Sequence, residues 1–330
     1  MKCVRVNLKE AEKVKKKLTD LEVFDDNYLV EKDEQYIYFP INGIVNDYEI
    51  VDKNLDRKRN HLSFEDLLKN KLEDEEIELI SKSFDVIGDI AILEVDDKLL
   101  DKKEFIVEAL LKSNKNIKTV IRKKGIHEGV CRLQDYEFLG GVENYEALYK
   151  ESGILVKLDV RKTYFSPRLS TERLRISRQI TPDENVLVMF SGVAVYGLII
   201  IKHSKANLVY CVEINEDASK YAEENVNLNK FSNKIRLFCG DVNEVVPKIG
   251  KKFDRILMPL PKTSIDFLDL ALSHIKKGGI IHFYCFADEQ EVVKIVSSIK
   301  ERCKCEILGI FKCGQASPRI FRYCIDFRVL

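Results

Sequence analysis

The chain has 330 residues, 45% of them hydrophobic and 9% aromatic, enough for two or three domains with cores of their own. Lys plus Arg and Asp plus Glu number 54 each, so the formal net charge is zero, which at first argues against a nucleic-acid-binding protein. No run of about 18 apolar residues occurs, and the N-terminal MKCVRVNLKEAEKVKKKL is charged throughout; neither a membrane span nor a signal peptide is expected, and the cytoplasm is the expected location. The zero net charge hides clusters. KSNKNIKTVIRKKG carries six Lys/Arg and no acid, and RKTYFSPRLSTERLRISR carries six against the single Glu172. The nine cysteines form no CxxC pair. Cys303 and Cys305 of CKC would share one face of a strand, where core thiols are expected and neither a metal site nor a disulfide is.

In chain order, residues 1–51 read as a small α/β unit: a strand at Lys2–Val6, an amphipathic helix from about Leu8 to Leu21, and the strand QYIYFPI. DKNLDRKRNHLS is charged and apolar-poor, as a mobile connection is, and residues 52–62 are read as a linker. A capping box with Asp66 in the usual Glu position opens a helix at Ser63. SFDVIGDIAILEV, broken at Gly88, reads as a hairpin; a helix near Lys102–Lys112 and the strand IKTVIRK complete a middle α+β domain over 63–152. From 153 to 330, and most clearly from Asn185, strands and helices alternate: NVLVMF, NLVYCVEI, KIRLFCGD, FDRILMPL and GIIHFYCF. Alternation of this kind specifies a parallel sheet with helices on both faces. CEILGIFKC and RIFRYCIDFRVL have no helix between them and should pair antiparallel at one edge. That order is typical of methyltransferases using S-adenosylmethionine (SAM), not of nicotinamide dehydrogenases. The fold class expected is therefore α/β: a Rossmann-like class I SAM methyltransferase domain preceded by two smaller α+β domains.

Ligands of such sheets bind outside the carboxyl ends of the strands. Glu213 ends the second strand about twenty residues after the loop FSGVAVYG, where its carboxylate can accept both hydroxyls of a ribose; a helix N-cap or a solvated acid is the alternative. Asp241 ends the third strand, where it could bond an adenine amino group or simply cap a helix. Cys239, Gly240 and Val242 would flank the adenine, and FSGVAVYG would lie against the methionine part.

These pieces resemble the archaeal and eukaryal tRNA guanine-N1 methyltransferases that act on the guanosine 3′ of the anticodon, position 37. The resemblance covers nearly the whole chain through TYFSPRLSTERLRI, VMFSGVAVYG, CVEINEDASKYAEENVNLNK, GDVNEVV, RILMPLPK, GGIIHFY and SPRIFRYCIDF. It implies a first domain docking on the tRNA outer corner, a mobile linker, and middle and catalytic domains that clamp the anticodon branch. SAM is the implied cofactor, tRNA the partner, and a monomer without protein partner or metal the expected state. Phe190, Gly192, Val193, Glu213, Ile214, Gly240, Asp241, Val242 and Pro259 are the implied cofactor residues. Two departures stand out. Val188 replaces the acid of the family's Asp-Met-Phe-Ala-Gly-Val-Gly-Pro-Phe loop, with Ala194 and Val195 in place of Gly-Pro, and Pro259-Leu260-Pro261 replaces its Asn-Leu-Pro turn.

Methylation at N1 requires removal of the N1 proton while charge spreads to O6, so a carboxylate near N1 and a donor near O6 meet the need. The resemblance puts Glu172 in the first role and Arg132 in the second. Read alone, Glu172 is equally an acid at a helix N-terminus and Arg132 a surface cation. Tyr164, Ser166, Arg168, Leu260 and Pro261 are the candidate substrate residues. Tyr164 and Phe165 would stack on a flipped nucleotide or pack in the core, and the carbonyl of Met258 or Pro259 would accept from the guanine 2-amino group. Lys112, Lys115, Lys118, Arg122, Lys123 and Lys124 are phosphate candidates or a solvated face. Two rival functions remain: a related transferase on a modified guanosine at the same position, by carbon methylation or aminocarboxypropyl transfer, and a catalytically silent tRNA binder.

Overall fold

A computed structural model describes residues 1–57, 63–69, 71–80 and 84–330, and the chain divides into two compact units, Met1–Leu67 and Leu68–Leu330. Of the linker read at 52–62, residues 58–62 lie outside the described residues. No helix among the described residues is long and apolar enough to cross a membrane.

In the first unit, β1 (Lys2–Asn7), β2 (Glu31–Lys32), β3 (Tyr36–Pro40) and β4 (Glu49–Asp52) form a sheet in the order β2-β3-β1-β4. Helix α1 (Ala11–Asp20) turns Val14 and Leu18, one turn apart, onto Val4, Val6, Phe39 and Ile41, and this stripe is the core of the unit. Helix α2 (Phe64–Lys69) opens as its sequence predicts: Ser63 N–H donates to Asp66 Oδ2 and Asp66 N–H donates to Ser63 Oγ, both at 3.1 Å.

In the second unit, α3 (Asp74–Glu78) precedes the expected hairpin, β5 (Asp85–Ile87) with β6 (Ile90–Leu93). Helix α4 (Lys103–Ser113) crosses over to β7 (Thr119–Glu128), which pairs parallel to β6 and antiparallel to β8 (Leu133–Gly141). A second hairpin, β9 (Glu146–Glu151) with β10 (Ile154–Asp159), leads to α5 (Ser170–Ser177).

Then comes the alternating run: β11 (Asn185–Met189), α6 (Val195–His203), β12 (Leu208–Glu213), α7 (Glu216–Leu228), β13 (Ile235–Cys239), α8 (Val242–Ile249), β14 (Phe253–Met258), α9 (Leu268–His274), β15 (Ile275–Ala287), α10 (Glu291–Arg302), β16 (Cys305–Ser317) and β17 (Ile320–Val329). Its sheet has the order β13-β12-β11-β14-β15-β17-β16, parallel from β13 to β15, with β17 antiparallel to both neighbours. The antiparallel edge pair is where the helix-free C-terminal runs put it. Period-two alternation sorts β11 between two cores. Val186 and Val188 join the cluster on the α6–α7 side, and Leu187 and Met189 the cluster that includes Val242, Leu268 and Ile299. Val188, where the resembled loop has an acid, is thus a packing residue with 0% exposure.

Asn215 caps α7, its side chain accepting from the N–H groups of Asp217 (3.0 Å) and Ala218 (3.3 Å) while its amide donates to Lys162 O at 2.8 Å. Asn215→Ala is expected to cost about 1 to 2 kcal/mol, seen as a lower urea midpoint at unchanged m-value.

Candidate active site at the carboxyl ends of the parallel strands

Side by side in the sheet, β11, β12, β13 and β14 end at Met189, Glu213, Cys239 and Met258, and each then turns outward into a loop. These loops line a cavity of about 630 Å³, a size ordinary for cofactor and substrate pockets. One end of it is built by Phe190, Gly192, Glu213, Ile214, Asn215, Gly240, Asp241 and Val242. Gly129, Val130, Cys131 and Arg132, from the turn between β7 and β8, line it as well, together with Tyr164 and the segment holding Pro259, Leu260, Lys262, Thr263, Asp266 and Phe267.

Backbone geometry explains the loop with few glycines. Phe190 (φ 58°), Gly192 (φ 55°) and Ala194 (φ 65°) all take left-handed conformations, two of them without glycine's freedom. Tertiary contacts hold them there: Phe190 packs edge-on against Phe267 at 4.9 Å, and Ser191 N–H donates to Val212 O at 2.9 Å. Glu213 closes the loop from the next strand. Its Oε2 accepts Gly192 N–H at 2.6 Å and its Oε1 accepts Asn215 N–H at 2.9 Å. A carboxylate has about four acceptor sites, so these bonds do not saturate it. Burial raises the pKa of Glu213, and the backbone donors oppose that rise. Asp241 does cap α8, accepting Asn243 N–H at 2.7 Å, and lines the cavity at the same time. The two readings of Asp241 are therefore compatible. Gly240 takes φ 142°, a conformation that L side chains rarely adopt. Val193 does not line the cavity: it is 1% exposed and its carbonyl accepts from Asn225 Nδ2 at 3.2 Å.

At the other end, the Arg132 guanidinium lies 4.6 Å from the centre of the Tyr164 ring, and Arg322 Nη2 donates to the Tyr164 hydroxyl at 3.1 Å. Burial pushes the Tyr164 phenol up, but the cations Arg322 and Arg132 outweigh it and leave its pKa lowered. Burial also lowers the pKa of Arg132. In the turn after β14 the carbonyl of Met258 accepts Leu260 N–H at 2.8 Å, and the Ser264 hydroxyl donates to the carbonyl of Leu260. Of the two carbonyls considered for the guanine 2-amino group, Met258 is thus engaged, and Pro259 is the one on the cavity wall. Pro261 is buried, its carbonyl accepting Phe286 N–H at 3.2 Å, so Leu260 reaches the cavity and Pro261 supports it from behind.

Other candidates lie elsewhere. Ser166 precedes a short 3-10 turn, and its carbonyl accepts from the guanidinium of Arg173 at 3.2 Å. Arg168 pairs with Asp85 at 2.7 Å. Phe165 packs edge-on against Tyr149 at 5.1 Å, within a core. Arg122 is 6% exposed and bonded to Glu137, Asp97 and the carbonyl of Val95, so it is a buried strut, not a phosphate contact. Lys112, Lys118 and Lys123 each pair with an acid, Glu108, Asp89 and Glu94. Glu172 sits in the first turn of α5 but does not line the cavity; it is 5% exposed and fully bonded inside the protein.

Glu172 opens a buried polar chain that sequence reasoning missed, running through Arg175, Asp326, His282 and Arg255 to Glu184. The signal was present as lone polar residues inside apolar strands, His282 in GIIHFY and Asp326 in CIDF. His282, Cys324 and Asp326 bring ligand atoms within 4.8 Å of one another. Their lone pairs are engaged by Arg255, Arg175 and each other, which makes the group a charge network and not a cation site. All nine thiols are free, and Cys303 and Cys305 both pack against the core, as their spacing predicts.

Residues 147–308 match the TRM5/TYW2 methyltransferase domain, 64–144 the TYW2 N-terminal domain and 3–49 the tRNA methyltransferase 5 N-terminal domain. The tRNA (guanine(37)-N(1))-methyltransferase Trm5b of Pyrococcus abyssi is 36% identical over 334 aligned positions, covering 99% of this chain and 98% of that protein. The chain belongs to the TRM5/TYW2 methyltransferase family. Another relative in the comparison, the tRNA(Phe) (4-demethylwyosine(37)-C(7)) aminocarboxypropyltransferase of Pyrococcus horikoshii, is 32% identical over 271 positions, 80% of this chain and 95% of its own. The solved complex of aTrm5 and tRNALeu superposes with a TM-score of 0.74 at 31% identity, with 99% of both chains covered.

Proposed function

We propose that this chain is a SAM-dependent tRNA methyltransferase that methylates N1 of the guanosine at position 37. The observation that carries the reading is the composition of one cavity. A nucleoside end with Glu213, Gly192, Gly240 and Asp241 faces an end with Arg132, delivered by a different sheet, and with Tyr164 and Leu260. The donor set fits SAM: Glu213 keeps acceptor capacity for the ribose, Asp241 borders the adenine position with Gly240 and Val242, and the left-handed turn at Gly192 brings backbone close to the methionine part. SAM, as the substrate consumed, supplies an electrophilic methyl group. Arg132 steadies the charge that develops on O6, Glu172 takes the N1 proton, Tyr164 and Leu260 hold the base, and the Pro259 carbonyl accepts from its 2-amino group.

In this reading residues 1–51 dock on the tRNA outer corner, 52–62 link, 63–152 support the anticodon branch and 153–330 catalyse. The enzyme acts as a monomer in the cytoplasm. The similarity of residues 3–49 to the tRNA methyltransferase 5 N-terminal domain favours N1 methylation over the aminocarboxypropyl alternative. Pro259 and the Ala194-Val195 loop are the features that keep that alternative, or carbon methylation, in view.

The test is a single-turnover reaction of unmodified tRNA transcript with SAM, followed by nucleoside mass analysis. One added methyl on guanosine, absent when position 37 is adenosine, supports the proposal; a larger added mass replaces it with aminocarboxypropyl transfer. Arg132→Ala is expected to slow the single-turnover rate about 10- to 100-fold, the worth of one charge-assisted hydrogen bond, with SAM affinity unchanged by calorimetry.

A further inference from the structure

The functional reading makes Glu172 the base, yet in the structure its carboxylate is withdrawn and saturated. Arg175 Nε donates to Glu172 Oε2 at 2.6 Å, and Arg175 Nη2 and the Tyr284 hydroxyl donate to Oε1 at 2.8 Å and 2.7 Å. The remaining arm of the same guanidinium, Nη1, donates to Asp326 Oδ2 at 2.6 Å. Behind Asp326, His282 Nδ1 lies 2.6 Å from Oδ1, and His282 Nε2 lies 2.8 Å from Arg255 Nη1. A guanidinium only donates, so Nε2 carries the lone pair, Nδ1–H donates to Asp326, and His282 is neutral. Burial, which lowers the pKa of His282, agrees. Arg255 is balanced by Glu184 at 2.7 Å. One cation, Arg175, is therefore shared by two carboxylates, Glu172 and Asp326. When Glu172 gains a proton, the remainder is a balanced pair, Arg175 with Asp326.

We propose that Arg175 is the positioning residue of the base: it holds Glu172 away from the cavity in the resting enzyme and passes wholly to Asp326 when the target guanine is seated. The proposal rests on the reading of Glu172 as base. The N1 proton then ends on Glu172, and its former share of Arg175 ends on Asp326. Other groups face Glu172 from every side. Arg173, on the same helix, is engaged by Glu151 and the Ser166 carbonyl. Tyr196 on α6, Tyr284 on β15, Cys313 on β16 and Cys324 on β17 all have pKa values raised first of all by burial. These four stay neutral in the working range, so Arg175 and Asp326 set the charge that Glu172 feels.

Single-turnover rates with transcript tRNA and SAM, from mildly acid to alkaline pH, test this. Asp326→Asn weakens the partner that receives Arg175 and should slow the reaction about tenfold or more, with SAM and tRNA affinities unchanged. Adding Arg175→Gln removes the restraint. The double variant should climb with rising pH to the wild-type rate or above. A double variant as slow as Asp326→Asn at every pH overturns the proposal. Should Asp326→Asn fail to fold, the double variant alone decides against wild type, because recovery at alkaline pH is expected only if Arg175 restrains the base. Glu172→Gln separates the two ideas. If it keeps the wild-type rate, the base assignment itself is lost; if it is slow and the double variant does not recover, only the role of Arg175 is.

Discussion

Glu172→Gln is expected to lower the single-turnover methylation rate by about 10²- to 10⁴-fold, the range over which a positioned general base contributes. The isostere keeps the volume at a site only 5% exposed, so packing among Tyr284, Arg175 and the neighbouring strands is preserved. It also removes one anion from a group in which two carboxylates share Arg175, leaving Asp326 to balance that cation. Large destabilisation from an unpaired buried charge is therefore not expected, and the melting temperature should fall by a few degrees at most. The discriminating observation is a slow chemical step with unchanged SAM and tRNA affinities. A variant that reacts within about threefold of wild type would remove Glu172 from the chemistry.

Glu213→Ala should weaken SAM binding by about two to four orders of magnitude in calorimetric titration. Two ribose hydroxyls donating to a carboxylate are each worth about 1.5 to 3 kcal/mol. The carboxylate also holds Gly192 N–H and Asn215 N–H, so its loss loosens the turn that borders the methionine position as well. Affinity for tRNA should stay within about twofold, because the nucleic acid engages other surfaces. SAM affinity close to wild type would mean that the ribose is held elsewhere in the cavity.

Much of this was legible in the chain. The alternation from Asn185 onward specifies a parallel sheet, and the carboxyl-end rule then brings Glu213, Gly240 and Asp241 to one end of it, where the cavity lies. Residue type and position sufficed there because an acid or a glycine at a strand end has few places to go. Where a side chain's partner is distant in sequence, type alone misled. Arg122, in a basic run, is buried on Glu137 and Asp97. Elsewhere type left the choice open: Arg168 is paired with Asp85, 83 residues away, and Phe165 takes the core-packing side of its two readings, on Tyr149. The chain from Glu172 to Glu184 joins α5, β14, β15 and β17, and no local pattern encodes such a set. The acid was recognisable; its confinement was not.

The turn at Gly129–Arg132 enters the cavity from a sheet separate from the one that carries Glu213, Gly240 and Asp241. The pocket is assembled from loops carried by different sheets. Changes at the hairpin tip can redraw one wall of the cavity while the loops after β11, β12 and β13 stay intact. A lineage built this way can exchange the base it modifies, or the group it delivers, through a handful of loop substitutions without rebuilding a core.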